Sequence, residues 1–266
     1  MRKLRLWVSC VLLIIAGLFC TITKSTCISA IKCLDGVVVA SDSLAISGSL
    51  VGNRETIKIK QLPNNVVICC ASGFKMFQQL FDELESEVNH HRLSYESELS
   101  VESIANYIRR KVHARSQTDT HILVVGIDSS SSSSSSDPRI FEVLPGGTLV
   151  SHDYVVAGPA SGNLYPLLLE LCTKKSASTE VHTITSDNNN RKSSGNASSS
   201  RSSSDSNTCM IGTTEAFEIV NKILRAAGAL DPRSGGPIKR FLLKRNGRLV
   251  SVKKSGDLKA ILVPNI

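Results

Sequence analysis

Thr26 opens the first strand-like run of this chain, Thr26-Cys27-Ile28-Ser29, immediately after a basic-headed apolar leader. A threonine hydroxyl is a poor nucleophile until a base takes its proton. A threonine freed by cleavage carries such a base in its own α-amine, whose ordinary pKa of ~7.7–8.0 leaves it partly neutral at physiological pH. Cleavage before Thr26 would therefore create a candidate for covalent attack on a carbonyl. Asp42 and Lys58 follow at equal steps of sixteen residues, and Asp231 and Ser234 stand in the run Asp231-Pro232-Arg233-Ser234-Gly235-Gly236. Each alone has a plain structural use: Asp42 as a turn cap, Lys58 as an exposed strand residue, Asp231 as the start of a turn before proline. Their joint order is what carries information. His90, His91, His113, His121, His152 and His182 show no such order, and none is assigned a role.

Whether Thr26 is ever a terminus depends on residues 1–25. Arg2, Lys3 and Arg5 form a basic head, Leu6 to Phe19 is apolar apart from Ser9, and Cys20 to Ser25 turns polar. This is the three-part layout of a secretory signal peptide, with small Thr23 and Ser25 suited to a cut between Ser25 and Thr26. The apolar run is shorter than the ~20 residues a spanning helix needs. A pro-segment whose apolar residues pack during assembly is the other reading of the same stretch.

The elements that must position these residues follow from periodicity. Ile28 to Cys33 and Val37 to Ala40 read as strands around an Asp35-Gly36 turn, a strong hairpin signal. Thr56 to Lys60 and Val66 to Cys70 read as two more, joined at Pro63-Asn64-Asn65. After Gly73 the period becomes helical, with Phe77, Leu80, Phe81, Leu84 and Val88 on one face; Ser100 caps a second helix carrying Ile104, Tyr107, Ile108 and Val112. Strands return at Ile122 to Ile127, Ile140 to Leu144 and Tyr154 to Ala157. A helix is expected after Gly162 and another from Thr213 to Ala227, before strands at Ile238 to Leu243 and Leu249 to Val252. That order of strands and helix pairs predicts sheets held between helix layers, an α+β fold. The serine run 129–136 and the serine- and asparagine-rich stretch 176–206 bury too little apolar surface to offset the entropy of ordering and read as surface insertions.

Composition excludes more than it selects. With 266 residues and 41% hydrophobic content the chain has material for one sizeable core. The formal charge of +8 sits partly in the leader and partly in the C-terminal run from Lys239 to Lys254. There the charges alternate with apolar residues, as in a strand with a solvated face, and no nucleic-acid-binding signature accompanies them. The eight cysteines include the adjacent Cys69 and Cys70 but no metal-ligand spacing, so buried apolar roles are expected.

Thr26, Asp42, Lys58, Asp231 and Ser234 in this order, with Asp35-Gly36-Val37-Val38-Val39-Ala40-Ser41-Asp42-Ser43 between the first two strands' turn and end, resemble the β-type subunits of the proteasome. The resemblance covers nearly all of residues 26–266 outside the serine tracts. It implies a four-layer αββα sandwich of two antiparallel sheets flanked by helix pairs, and an N-terminal threonine hydrolase without cofactor or metal. It makes Thr26 Oγ the nucleophile and its amine the proton shuttle, with Lys58 beside Asp42 helping to take or stabilise the proton. Asp231 and Ser234 would hold the amine. The Gly73 N–H is the implied oxyanion donor, a contribution often worth about 3 kcal/mol, and Ala71 the implied floor of the specificity pocket. Partners would be α- and β-type subunits in stacked rings, with peptides or unfolded proteins as substrates and no nucleic acid. The implied location is the cytoplasm and nucleus, whereas the leader points to a secretory or membrane compartment.

Four departures from that pattern are specific. Ser25 replaces the glycine that precedes the threonine, Leu44 an arginine, and Ile46 a threonine, and Gly158-Pro159-Ala160-Ser161-Gly162 stands where Ser-Gly-Ser is usual, with Ser161 as the substitute. Two functions are therefore carried forward: a threonine endopeptidase, favoured by Lys58, Asp231 and Ser234, and a non-catalytic structural ring subunit, favoured by Leu44, Ile46 and Pro159.

Overall fold

The computed structural model describes residues 26–47, 50–71, 74–115, 120–128, 137–184, 211–231, 234–252 and 261–262; at 47, 50, 74–75, 175–184 and 261–262 only the backbone is described. The leader, the serine run 129–136, residues 185–206 of the second tract, and Gly73 lie outside the described residues.

The first strands form where β-branched residues cluster. β1 (Ile28–Cys33) and β2 (Gly36–Ser41) pair antiparallel from Cys33↔Gly36 to Ile28↔Ser41. The turn residues are Leu34 and Asp35, one position earlier than expected, and Gly36 is the first residue of β2. It has φ of +144°, and a Cβ there would sit 2.0 Å from the Leu243 carbonyl oxygen. Only glycine permits that approach.

Two short strands that periodicity did not reveal, β3 (Ala45–Ser47) and β4 (Leu50–Asn53), form a separate antiparallel pair. β5 (Ile59–Gln61), β6 (Val67–Ala71), β7 (His121–Asp128), β8 (Asp137–Val143) and the unanticipated β9 (Leu149–Ser151) make a five-stranded antiparallel sheet in that order. β10 (Tyr154–Ala157), β1, β2, β11 (Lys239–Lys244), β12 (Leu249–Ser251) and β13 (Ile261–Leu262) make a six-stranded one. β11 pairs with β2 on one side and β12 on the other, with Leu242 buried toward the helices and Leu243 toward the other sheet. The expected solvated face is thus corrected: a central strand has both faces covered, and Lys239, Arg240 and Lys244 are half-buried.

Helices α1 (Phe74–Tyr95) and α2 (Val101–Ala114) follow β6, and α3 (Ser161–Ile184) and α4 (Thr213–Leu230) lie between β10 and β11 in sequence. Ser100 caps α2 as expected, its Oγ accepting from the Ser103 N–H at 3.1 Å. Such a cap is worth about 1 kcal/mol. α3 extends to Ile184, so the stretch read as an insertion from 176 begins as helix.

Three apolar clusters hold these elements. Ile28, Val37, Val39 and Leu243 of one sheet meet Val67, Cys69, Leu123 and Val125 of the other. The outer face of the six-stranded sheet packs Ile31, Val38 and Leu242 against Leu164, Leu168, Phe217 and Ile223 of α3 and α4. The outer face of the five-stranded sheet packs Ile68, Ile122 and Val124 against Phe77, Leu80, Ile104 and Ile108 of α1 and α2. The molecule is α+β with antiparallel sheets.

Candidate active site

Strand pairing brings three of the residues singled out from sequence to one point. Thr26 precedes β1, and the Asp42 N–H donates to the Cys27 carbonyl at 3.1 Å, carrying the β1–β2 ladder one step beyond Ser41. Lys58 precedes β5, and its carbonyl accepts from the Cys70 N–H at 3.1 Å, which fixes its backbone against β6. Thr26, Asp42 and Lys58 are 7%, 1% and 4% exposed, so their polar groups must satisfy one another. Lys58 Nζ lies 2.9 Å from Thr26 Oγ1, 2.7 Å from Asp42 Oδ1 and 2.7 Å from the Leu44 carbonyl. Three acceptors match the three protons of an ammonium.

The other Asp42 oxygen, Oδ2, accepts from the Gly235 N–H at 3.0 Å, and the Gly235 carbonyl accepts from the Ser43 and Leu44 N–H groups at 3.2 and 3.0 Å. Asp231 ends α4, its N–H donating to the Ala227 carbonyl, and its own carbonyl accepts from the Ser234 N–H at 2.9 Å. Asp231 and the buried Ser234 therefore form the turn that delivers Gly235 to Asp42.

Burial opposes both charges of the central pair. It lowers the Lys58 ammonium from its ordinary value, against the opposite pull of Asp42, and raises the Asp42 carboxyl, against Lys58 and the Gly235 and Cys27 backbone. A lysine moved toward neutrality yet held by a carboxylate can stabilise developing charge on Thr26 Oγ and pass a proton. Cys27, the neighbour of Thr26, is the stronger nucleophile by type, but burial pushes its thiol up, the Asp42 charge adds to that, and Lys58 only partly opposes it. A thiol kept protonated is inert.

Gly158 supplies the other wall. Its φ is +126°, and a Cβ on it would fall 2.1 Å from the Thr26 carbonyl oxygen and 3.5 Å from the Ala71 Cβ. The pairing of Ile28 with Ala157 sets that approach. Ala71 is fully buried in the cluster between the sheets at the end of β6. Ser161 begins α3, its N–H donating to the Gly158 carbonyl at 2.9 Å. Sequence reasoning missed the Leu44 carbonyl, the Gly235 amide and the close passage of Gly158. The last two lie in Ser234-Gly235-Gly236 and Gly158-Pro159, and a glycine near the candidate residues was their signal. A backbone carbonyl gives none. Among the described residues no group of His, Cys, Asp and Glu is arranged to hold a metal ion.

Comparison with known proteins places the chain in a family. The sequence model of the family described as "Proteasome subunit" matches residues 22–187. The chain is 25% identical over 147 residues to "Proteasome subunit beta" of Methanopyrus kandleri, covering 55% of this chain and 69% of that one. It is 28% identical over 151 residues to "Proteasome subunit beta 2" of Nitrosopumilus maritimus, covering 56% and 69%. It is also 29% identical over 160 residues to "Proteasome subunit alpha" of Methanocaldococcus jannaschii, covering 58% and 57%.

Proposed function

Because the chain belongs to the proteasome subunit family and is a β-type member, we propose that it is a threonine endopeptidase of a stacked-ring particle, acting through Thr26 once the bond after Ser25 is cut. The observation that carries this reading is the buried Lys58 ammonium shared between Thr26 Oγ1 and Asp42 Oδ1 at 2.9 and 2.7 Å. A desolvated ion pair aimed at a hydroxyl is more than a wall requires, since apolar residues in its place are often as stable or more so.

In this mechanism the freed α-amine of Thr26 takes the Oγ proton while Lys58 stabilises the oxygen. Oγ bonds to the substrate carbonyl carbon, and the Gly73 N–H receives the oxyanion. Collapse breaks the peptide bond, the amine proton leaves with the new N-terminus, and an ester remains on Thr26. Water, deprotonated by the same amine, then releases the acid. Asp231 and Ser234 hold the amine, Ala71 contributes to the floor of the specificity pocket, and Ser161 stands in for the missing serine near Pro159. The fold is the four-layer αββα sandwich, the partners are α- and β-type subunits, and the substrates are unfolded chains. The location proposed is the cytoplasm and nucleus. The secretory alternative rests on the leader; among the described residues no helix is long and apolar enough to cross a membrane.

The second reading, a non-catalytic β-type subunit, is favoured by Leu44, Ile46 and Pro159. N-terminal sequencing of the mature chain from its own cells separates the two. A chain starting at Thr26, whose peptidase activity is abolished by Thr26→Ala, is expected; a mature chain still carrying Ser25 selects the structural reading.

A further inference from the structure

Glu142 is a carboxylate buried on β8, and two imidazoles converge on it from different elements. His121 Nδ1 lies 3.0 Å from Oε1 and His152 Nε2 lies 3.1 Å from Oε2. None of the three belongs to the machinery around Thr26. His121 opens β7 directly opposite Ala71 in the β6–β7 ladder. His152 sits in the link that takes the chain from β9 in one sheet to β10 in the other, its N–H donating to the Ile140 carbonyl at 3.0 Å. Alternation places His121 with Leu123 and Val125, and Glu142 with Ile140, on the face between the sheets. One carboxylate thereby ties the start of β7 to the crossover. Both tied segments lead to Thr26: β7 holds Ala71, and β10 runs into Gly158, whose backbone passes close against the Thr26 carbonyl.

We propose that His121, Glu142 and His152 form an electrostatic clasp that positions the Ala71 and Gly158 backbones beside Thr26 and keeps them there when the medium turns acidic. Its effect on hydrolysis rests on the reading of Thr26 as nucleophile; its effect on the backbone does not.

An ionised Glu142 only accepts, so each imidazole donates to it whether protonated or neutral in the matching tautomer. Protonation of either imidazole therefore leaves the clasp closed. Burial raises the Glu142 carboxyl, but the hydrogen bonds and charges of His121 and His152 outweigh it and hold the group below its usual range. Of the other ionisable groups on the joined elements, Asp153 in the crossover is ion-paired with Lys32 of β1 at 2.8 Å, and Tyr154 starts β10. Asp128, Asp137 and Arg139 lie at the far end of the β7–β8 ladder in contact with one another.

The test uses the assembled particle and two readouts across about pH 8 to 5.5, bracketing the histidine range: hydrogen exchange of residues 67–71 and 154–157, corrected for intrinsic rates, and kcat/KM for a peptide. Glu142→Gln offers one acceptor and one donor, so it serves both imidazoles while one of them is neutral but not when both are protonated. The expected result is that protection and kcat/KM of Glu142→Gln equal wild type at pH 8 and, at pH 5.5, both lie about tenfold below wild type measured at the same pH, while wild-type protection stays flat. Adding His121→Asn and His152→Gln, neutral donors that do not titrate, removes that fall. Glu142→Asp keeps the charge but is too short for both bonds, and lowers protection of one segment at every pH. Wild-type protection in Glu142→Gln at all pH values, or in Glu142→Asp, overturns the clasp. A wild-type particle in which this chain hydrolyses nothing, with the protection pattern as expected, overturns the nucleophile reading and upholds the clasp.

Discussion

Replacing Lys58 with alanine removes the group on which the proposed chemistry turns, and the structure fixes what that costs. Asp42, 1% exposed, keeps only backbone donors such as the Gly235 N–H, so a buried carboxylate loses its counter-charge. Breaking a buried pair from one side costs about 3–5 kcal/mol. At ~2–4 °C per kcal/mol for a domain of this size, the thermal midpoint falls by roughly 6–20 °C. Thr26 Oγ1 loses its charged donor at 2.9 Å, a loss comparable to that of an oxyanion-hole donor, or about 10²–10³ in rate. Changing both partners, Lys58→Met with Asp42→Asn, separates the effects. It removes both desolvated charges, so the midpoint returns to near the wild-type value while hydrolysis stays lost. The assay is peptide hydrolysis by assembled particles, with covalent labelling of Thr26 by an electrophilic inhibitor, alongside thermal unfolding. Hydrolysis by Lys58→Ala within threefold of wild type would refute the reasoning. So would a double variant that unfolds as early as the single one.

Other outcomes are set by single contacts. Leu44→Ala retains hydrolysis within about threefold, because Lys58 bonds the Leu44 carbonyl rather than its side chain; steady-state kinetics checks this. Gly158→Ala abolishes hydrolysis and lowers the thermal midpoint, since its Cβ meets the Thr26 carbonyl oxygen at 2.1 Å. Cys27→Ser leaves the labelling of Thr26 intact, and Cys27 resists alkylation in the folded chain at pH 8, as peptide mass spectrometry would report. The Lys58–Asp42 pair also shapes stability against pH. Between the lowered native value of Lys58 and its ordinary ~10.4 the unfolded chain binds more protons, so stability rises with pH. Between the ordinary ~3.9 of Asp42 and its raised native value the native chain binds more, so stability falls as pH rises. Wild-type stability minus that of the Lys58→Met/Asp42→Asn variant therefore passes through a minimum between the two windows, measurable as thermal midpoint against pH.

Elements with long uniform patterns were legible before any coordinates. β10 spans the expected Tyr154–Ala157, Ser100 caps α2, and the buried stripe of α4 contains Ala216, Ile219, Val220, Ile223 and Leu224. The misses have physical causes. β3, β4 and β9 are three or four residues long, too short for a period of two to declare itself. The charge alternation of β11 suggested a wet face because alternation reports residue types, not whether a neighbouring strand and a second sheet cover them. At the site, Thr26, Asp42 and Lys58 were named in advance because their types and order resemble the β-type pattern. His121, Glu142 and His152 were not, because residues on three separate elements acquire a relation only when the strands pair.

The Gly235 amide that completes the environment of Asp42 comes 193 residues later in the chain. A contact of such separation closes late, since the loop entropy between its ends must first be offset by the intervening structure. During synthesis the strands around Thr26 emerge early, while Asp42 still lacks this partner. The order of translation thus leaves Asp42 without its Gly235 donor until the turn after α4 docks.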